Sequence, residues 1–546
     1  VGHKFQNWNE LQSETPRTLG QVQEIIQRNR KFESLSRLDY GDHGLHLVLD
    51  EIHKAILQNK RIALYADYDV DGTMSCVSWI WFFQSIGFTN YTHYIPCRFS
   101  EGYGLNLEAV KHLIHKEKSD VIITMDTGIT ANIEAEYCKQ NNVSFICTDH
   151  HKVQSEKMPD CLILNPKLHP DESYQELCGC GITFVLLRKL GAHFEISPNA
   201  AVWTDILALT GMATICDVVP LNSVNHQLAK MGVQAIFKSK RPILVNLRES
   251  AKMTEGDEKD VGFRLGPRIN AVGRLDHADI VISAFLNEDP APLITHMNLC
   301  NERRKLIQAK IIDEAFSLAK DFSDDSILFL GGDWHPGVVG IAASKIAESF
   351  WKPTWLFQRK DGICKGSARS IHGFDVTEAM SQAKTLFTKF GGHTAAGGFS
   401  FPVEHEQEIK DLLADYAHKE RAKTPGIWQS KIDFDCHIPM DLATLSLLDL
   451  LDQMKPFGHG FNEPKFAISA LVSEIRYYND KVSGVPKHTS VTVFSDNRYE
   501  KIMFFNTVLD NLDTGRLARF IVTANRNTFR GKVSLQLIGH DYEAQN

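Results

Sequence analysis

The sequence predicts an α/β protein built in parts: a parallel sheet with helices on both faces, a long helix, a second and smaller α/β unit, and a terminal β-barrel. Three observations predict it. Between 62 and 164, short apolar runs alternate with amphipathic stretches, the pattern of successive βαβ units. Between 293 and 320 lies one long, charged amphipathic stretch. From 431 onward the alternation has period two with turns between the runs. A chain of 546 residues agrees, since that length accommodates about three or four domains.

Taken in order, the apolar run 62–65 leads into an acid-rich turn and then a helix that continues to 84. Runs 91–96, 121–125, 143–148 and 162–164 read as further strands, and 107–115 and 131–141 as helices. Acids follow three of these runs, 62–65, 121–125 and 143–148, at their carboxyl ends, where open α/β sheets bind ligands. Helices dominate 182–237, and Asp217 follows a helix over 203–213. The stretch 293–320, with Asn301-Glu302-Arg303-Arg304-Lys305, reads as one helix bridging two lobes, its basic residues a solvated face rather than a DNA contact. The second α/β unit begins at 326–330 and continues through a helix (339–349), strands (354–358, 363–369), a glycine-rich stretch (390–398) and a helix (405–421). After a break at 423–426, strand runs at 490–494, 501–505, 520–524 and 532–538 predict a barrel of the OB type.

Bulk properties exclude several classes. Composition is ordinary for a globular protein, with 43% hydrophobic and 23% charged residues. No apolar run approaches the ~18 residues of a membrane span. Residues 1–30 are polar and lack a signal-peptide core. Eleven cysteines, several in apolar runs (Cys76, Cys147, Cys216), predict reduced thiols and a cytoplasmic location. Cys178-Gly179-Cys180 fits neither a zinc knuckle nor a redox pair. A net charge of −8 argues against a wholesale nucleic-acid coat, although an acidic protein can still carry a locally basic channel.

The chemistry concentrates in four segments: Asp67-Tyr68-Asp69-Val70-Asp71-Gly72, Asp126-Thr127-Gly128, Asp149-His150-His151 and Asp217-Val218-Val219-Pro220. Each acid alone is explained equally well as a cap or turn residue. Together they deliver carboxylates and an imidazole to what one sheet edge can collect. Asp69, Asp71, Asp126, His150 and Asp217 form an oxygen-rich set, which suits Mn²⁺ or Mg²⁺ better than Zn²⁺. So many acids repel one another unless about two divalent ions neutralise them.

Further segments suit phosphate. In Gly391-Gly392-His393-Thr394-Ala395-Ala396-Gly397-Gly398, glycine N–H groups can approach an anion and His393 can donate to it; a structural Gly-rich turn is the plain alternative. Ser367 and Arg369, near a strand end, offer a hydroxyl and a bidentate guanidinium. Arg264, Arg268, Asn270 and Arg274 share one Gly/Pro-rich stretch that reads as a loop. On the barrel, Arg526, Phe529, Arg530 and Lys532, with Tyr477 and Tyr478, fit single-strand stacking, and core aromatics explain them equally well.

In order and spacing, these segments over about 62–400 resemble the DHH phosphoesterase superfamily and, within it, the RecJ family of bacterial single-strand-specific exonucleases. Gly211-Met212-Ala213-Thr214-Ile215-Cys216-Asp217, the run Arg264 to Arg274, and Phe457-Gly458-His459-Gly460 also carry the resemblance. The resemblance implies a DHH catalytic domain (61–290) after an N-terminal segment (1–60), a connecting helix (291–322), a DHHA1 substrate-binding domain (323–425) and an OB-fold-like nucleic-acid-binding domain (426–546). It implies two metal ions on Asp69, Asp71, Asp126, His150 and Asp217. Asp67 joins them as a candidate; Tyr65 stands where many members have a histidine. It implies that His151, with Asp126 and Asp149 at the catalytic centre, stabilises or protonates the leaving group. Arg268, Asn270, Arg274, Ser367, Arg369, Gly392 and His393 are the implied DNA contacts, in a cleft that admits one strand. The implied activity is 5′→3′ hydrolysis of single-stranded DNA to 5′-mononucleotides in repair and recombination, by a monomer. A single-strand-binding protein and a helicase are candidate partners. Two rivals stand beside it: a phosphodiesterase for oligonucleotides or cyclic dinucleotides, and a non-catalytic DNA-binding replication subunit.

Overall fold

The computed structural model describes residues 5–33, 39–102, 104–253, 256–322, 325–480, 483–529 and 531–545. The chain divides into two compact units, one of 32–304 with 455–462, the other of the remaining residues.

The first unit is built on a five-stranded sheet in the order Tyr91–Tyr94, Ile62–Ala66, Val121–Met125, Ser144–Thr148, Leu162–Leu164. Every pairing is parallel. Ile62–Ala66 and the central strand Val121–Met125 are buried along their whole length, as a sheet covered on both faces requires. Alternate residues divide between two cores. Leu64, Ile123 and Ile146 pack beneath the helices Leu45–Leu57, Val70–Ile86 and Gly179–His193, while Ala63, Ile122 and Phe145 pack beneath Leu107–His115 and Asn132–Gln140. From Ile62–Ala66 the chain goes first to the neighbour on one side and then to the neighbour on the other. The resulting switch point opens at the carboxyl end of Ile62–Ala66, immediately before Asp67.

Two local expectations are corrected. The acid-rich turn is shorter than expected, because Asp69 caps the helix Val70–Ile86 by accepting from the N–H groups of Asp71 and Gly72, and Asp71 lies within the first turn. The arginine-bearing stretch is not a loop. It is a π-helical turn, Val261–Leu265, running into the helix Gly266–Leu275, with Pro267 in its first turn, where a missing N–H costs nothing.

The helix Ala291–Ala319 runs across the point where the chain passes from one unit to the other. In the second unit a five-stranded sheet has the order Lys389–His393, Ala396–Pro402, Ile363–Arg369, Thr354–Lys360, Leu328–Gly332, and only its last pair is parallel. The glycine-rich stretch is the hairpin of its edge, with Gly391 opposite Gly398 and Gly392 opposite Gly397. The barrel consists of Phe466–Asn479, Pro486–Ser495, Arg498–Phe504, Lys532–Ala544 and Leu517–Phe529, and the first and last of these pair to close it. The N-terminal strand Asn7–Glu10 pairs in parallel with Lys431–Phe434, a partnership no local pattern announces. Among the described residues, no helix is long and apolar enough to cross a membrane.

Candidate metal centre

Each acid-bearing segment leaves its strand or helix at a point where the backbone is forced. Asp67 follows Ile62–Ala66 and donates its N–H to Met125 O at 3.3 Å. A Cβ at position 72 would overlap the Asp67 backbone, so Gly72 lets the helix start fold over it. Asp126 follows Val121–Met125 in the left-handed region, with φ 60°. Aspartate tolerates that region better than most residues, at a cost on the order of 1–3 kcal/mol. Gly128 (φ 114°) completes the turn, where a Cβ would stand 2.7 Å from Thr124 Oγ1. Asp217 is the C-cap of the helix Ala201–Cys216.

These turns bring the side chains together. His150 Nε2 lies 3.0 Å from Asp126 Oδ1, 3.5 Å from Asp217 Oδ2 and 3.7 Å from Asp71 Oδ2. Ligand atoms of Asp71, His150 and Asp217 all fall within 4.8 Å of one another, as do those of Asp67, Asp69 and Asp126 and those of Asp126, His150 and His151. Asp71 is fixed from outside its own helix. Its carboxylate accepts from Gly179 N (2.5 Å) and Cys180 N (2.8 Å), at the start of the helix Gly179–His193. A Cβ at 179 would meet Asp126 Cβ at 2.8 Å, so only glycine fits there. Cys180 thus serves through its backbone N–H, the Cys178 side chain also bonds to Asp71, and all eleven cysteines are free of disulfides.

The electrostatics call for cations. Burial, then the charge of Asp69, pushes Asp67 well above the usual carboxylate range. Burial and Asp71 do the same to Asp126, and burial and Asp71 to Asp217. Asp71 is raised to about 6 by burial and Asp69. His150 is held down to about 3 by burial and by His151, so its ring is neutral and keeps a lone pair. Asp67 Oδ1, Asp126 Oδ1 and His150 Nε2 are buried without a hydrogen-bond partner. Buried polar atoms left so call for an explanation, and three of them clustered among carboxylates are what a bound cation would satisfy. Mostly carboxylate oxygen with one imidazole fits Mn²⁺ or Mg²⁺.

Beside this group, His151 Nδ1 lies 2.7 Å from Asp149 Oδ1, while Asp149 Oδ2 accepts from Ile129 N at 2.9 Å. Burial alone would raise Asp149 and lower His151. The hydrogen bond between them, their mutual charge, the backbone N–H groups on Asp149 and the acids around His151 together outweigh it, holding Asp149 below its usual range and His151 above. Asp149 therefore orients His151.

The expected DNA contacts fall into two groups. Within the first unit, Asn270 Oδ1 accepts from Val70 N at 3.1 Å, which braces the helix start that carries Asp69 and Asp71. Arg268 donates from Nε to Asn298 Oδ1 at 2.8 Å. Arg274 lies near enough to Tyr68 for its charge to act on the phenol. In the second unit, Arg369 Nη1 donates to Ser367 Oγ (2.6 Å) and Nε to Ser344 Oγ (3.0 Å). Gly392 (φ 151°) passes so close to Ala396 O that a Cβ would overlap it, and this turn presents His393. On the barrel, Tyr477 and Tyr478 are exposed, but Arg526 is tied to Asp449 and Asp452. Arg530 and the side chain of Phe529 lie outside the described residues.

One residue escaped the sequence reading. Arg98 stacks 5.0 Å from the Tyr68 ring centroid, and its charge reaches Asp67. Its loop is held by Glu101, which accepts from Cys97 N, Tyr94 Oη and Asn106 Nδ2. An arginine alone in a loop carries no signal; its meaning comes from facing the acids.

Comparison with known proteins gives three family matches: the DHH family, N-terminal domain, over 61–214; the DHHA1 domain over 324–419; and the RecJ OB domain over 434–541. The single-stranded-DNA-specific exonuclease RecJ of Bacillus subtilis is 31% identical over 90% of this chain, which spans 61% of that relative's length. The exonuclease of the same name from Escherichia coli is 30% identical, over 91% of this chain and 89% of its own. The crystal structure of RecJ in complex with Mn²⁺ from Thermus thermophilus matches with a TM-score of 0.85 and 26% identity, over 99% of this chain and 80% of that one.

Proposed function

The chain belongs to the RecJ family of DHH phosphoesterases, and from that premise we propose that it is a single-stranded-DNA-specific exonuclease releasing 5′-mononucleotides from a 5′ end. The observation that carries the reading is the pair of ligand groups, Asp71/His150/Asp217 and Asp67/Asp69/Asp126, at the sheet's switch point. Their donors suit two divalent ions, Mn²⁺ or Mg²⁺, which when bound neutralise phosphate charge and activate water at neutral pH.

The chain's own residues do the rest. Asp71, His150 and Asp217 would hold one cation and Asp67 and Asp69 the other, with Asp126 in reach of both sets. His151 protonates the leaving 3′ oxygen from Nε2, while Asp149 holds Nδ1 and keeps the ring charged for the transfer. Arg268, Arg274, Ser367, Arg369 and His393 grip phosphates, with Gly392 shaping the turn that bears His393 and Asn270 bracing the metal ligands. The division of labour follows the chain: catalysis in 61–290, a connecting helix over 291–322, phosphate holding in 323–425 and strand binding in 426–546. Single-stranded DNA is the partner this machinery fits; a single-strand-binding protein and a helicase are candidate suppliers of it.

The test is digestion of a long single strand blocked at either its 5′ or its 3′ end, with Mn²⁺ or with EDTA. Mononucleotides appearing only with Mn²⁺ and an open 5′ end are expected. Turnover of dinucleotides without attack on long DNA would sink the reading in favour of a small-substrate phosphodiesterase.

A further inference from the structure

Immediately after Asp217, Val218 has φ 58°, in the left-handed region. A β-branched residue is a true outlier there. Its side chain is 62% exposed, so its own packing does not hold it in that state. What grips the turn is the segment 455–462, which belongs to the same compact unit although His459 lies 241 positions from Val218. His459 Nδ1 donates to Val218 O at 3.1 Å, and its backbone oxygen accepts from Leu221 N at 2.7 Å.

Two glycines permit the approach. A Cβ at Gly458 would stand 2.8 Å from Leu221 Cδ1, and Gly460 (φ 74°) passes beside Pro220. The segment is itself anchored on both sides of His459. Lys455 Nζ is 3.8 Å from Asp257 Oδ2, and Phe461, fully buried, packs on His226 (4.7 Å) and Phe32 (5.0 Å). A short segment fastened on both sides of His459, with that imidazole bonded to a strained carbonyl, is built to hold that carbonyl still.

We propose that segment 455–462 is a positioning clamp: through His459 it holds the left-handed turn at Val218 and so keeps the Asp217 carboxylate aimed into the metal centre. The inference rests on Asp217 being a metal ligand, as proposed above. His459 touches no reacting atom. Without its donor, Val218 relaxes out of the left-handed region and carries Asp217 with it.

The experiment titrates Mn²⁺ into the full chain calorimetrically, for the wild type, His459→Ala, His459→Asn and Asp217→Ala, and measures kcat and KM on single-stranded DNA. Asparagine is the conservative variant, since its amide nitrogen is bonded to Cγ as Nδ1 is. In His459→Ala, affinity for one ion falls about 10–100-fold, the usual cost of losing a residue that orients a ligand. Its kcat falls while KM and the melting temperature in EDTA hold, and His459→Asn recovers both affinity and kcat. Wild-type Mn²⁺ binding in His459→Ala, with an ion lost in Asp217→Ala, overturns the clamp and spares the ligand reading. Wild-type binding in Asp217→Ala overturns both. Failure of asparagine to rescue, or a lowered EDTA melting temperature in His459→Ala, overturns the hydrogen bond as the cause.

Discussion

Asp126 is the most constrained residue of the centre: its backbone is left-handed, and its buried carboxylate faces His150 and shares the site with Asp71, Asp69 and Asp217. Like charges packed this way destabilise the folded chain until cations compensate them. Asp126→Asn removes one of those charges and keeps a side chain that tolerates the left-handed region. In EDTA the variant is therefore expected to melt above the wild type, by about 2–4 °C for each kcal/mol of repulsion relieved. With Mn²⁺ the order inverts, and turnover falls by about 10³-fold or more, as when several kcal/mol of transition-state stabilisation is lost. Thermal scans with and without metal check the crossing; a variant with near-native turnover would refute the site. His151 separates from it by role. His151→Gln is expected to lower kcat by about 10²–10⁴-fold with Mn²⁺ affinity intact, whereas His150→Gln loses metal as well. Calorimetric titration beside steady-state rates distinguishes the two.

At the scale of elements, the centre depends on helix starts more than on strands. Val70–Ile86 begins under Asp69, which caps it, and Asn270 from the helix Gly266–Leu275 accepts the Val70 N–H. Gly179–His193 begins with two N–H groups on Asp71. A helix N-terminus favours negative charge, so these starts hold carboxylates in place at little cost. Asn270→Ala leaves the Val70 N–H without its acceptor, a loss of about 1–3 kcal/mol. We expect Mn²⁺ affinity to fall about tenfold with KM for DNA unchanged; a raised KM with intact metal binding would make Asn270 a DNA contact instead. The alternation of apolar runs made these strands and helices legible, but not where each begins. The stretch 264–274 read as a loop because Gly266, Pro267 and Gly273 are loop formers, yet Pro267 sits in a first turn and Gly273 lies against the Tyr68 carbonyl, where a Cβ would stand at 2.8 Å.

For the whole molecule, the chain's order and its folding units differ. The N-terminal strand Asn7–Glu10 and the helix Leu19–Asn29 belong to the unit that holds the barrel, while 455–462 belongs to the unit that holds the buried acid cluster. Arg30 pairs with Asp435, both nearly buried, and Asn29 Nδ2 adds a bond to the same carboxylate at 2.8 Å. Two such units predict two calorimetric transitions, of which Mn²⁺ raises only the one belonging to 32–304, by about 2.7 kcal/mol at a hundredfold excess over Kd. Arg30→Ala strands the Asp435 charge and lowers the other transition, at a cost of about 3–5 kcal/mol. A single transition that moves as one with Mn²⁺ would contradict the division.

The sequence by itself determined which acid and imidazole side chains stand at the carboxyl edge of the sheet. An apolar run broken by Asp or His is a local signal, and the carboxyl end of a parallel strand gives it meaning; Asp67, Asp69, Asp71, Asp126, Asp149, His150 and His151 were all legible in that way. Only the tertiary structure decided what holds them. Gly179 reaches Asp71 across 108 positions, Asn270 reaches Val70 across 200, and His459 reaches Val218 across 241. Hydrophobic periodicity reports which face of an element is buried, over a turn or two of chain. It has no means of reporting which distant N–H, amide or imidazole will meet that face once the chain has closed on itself.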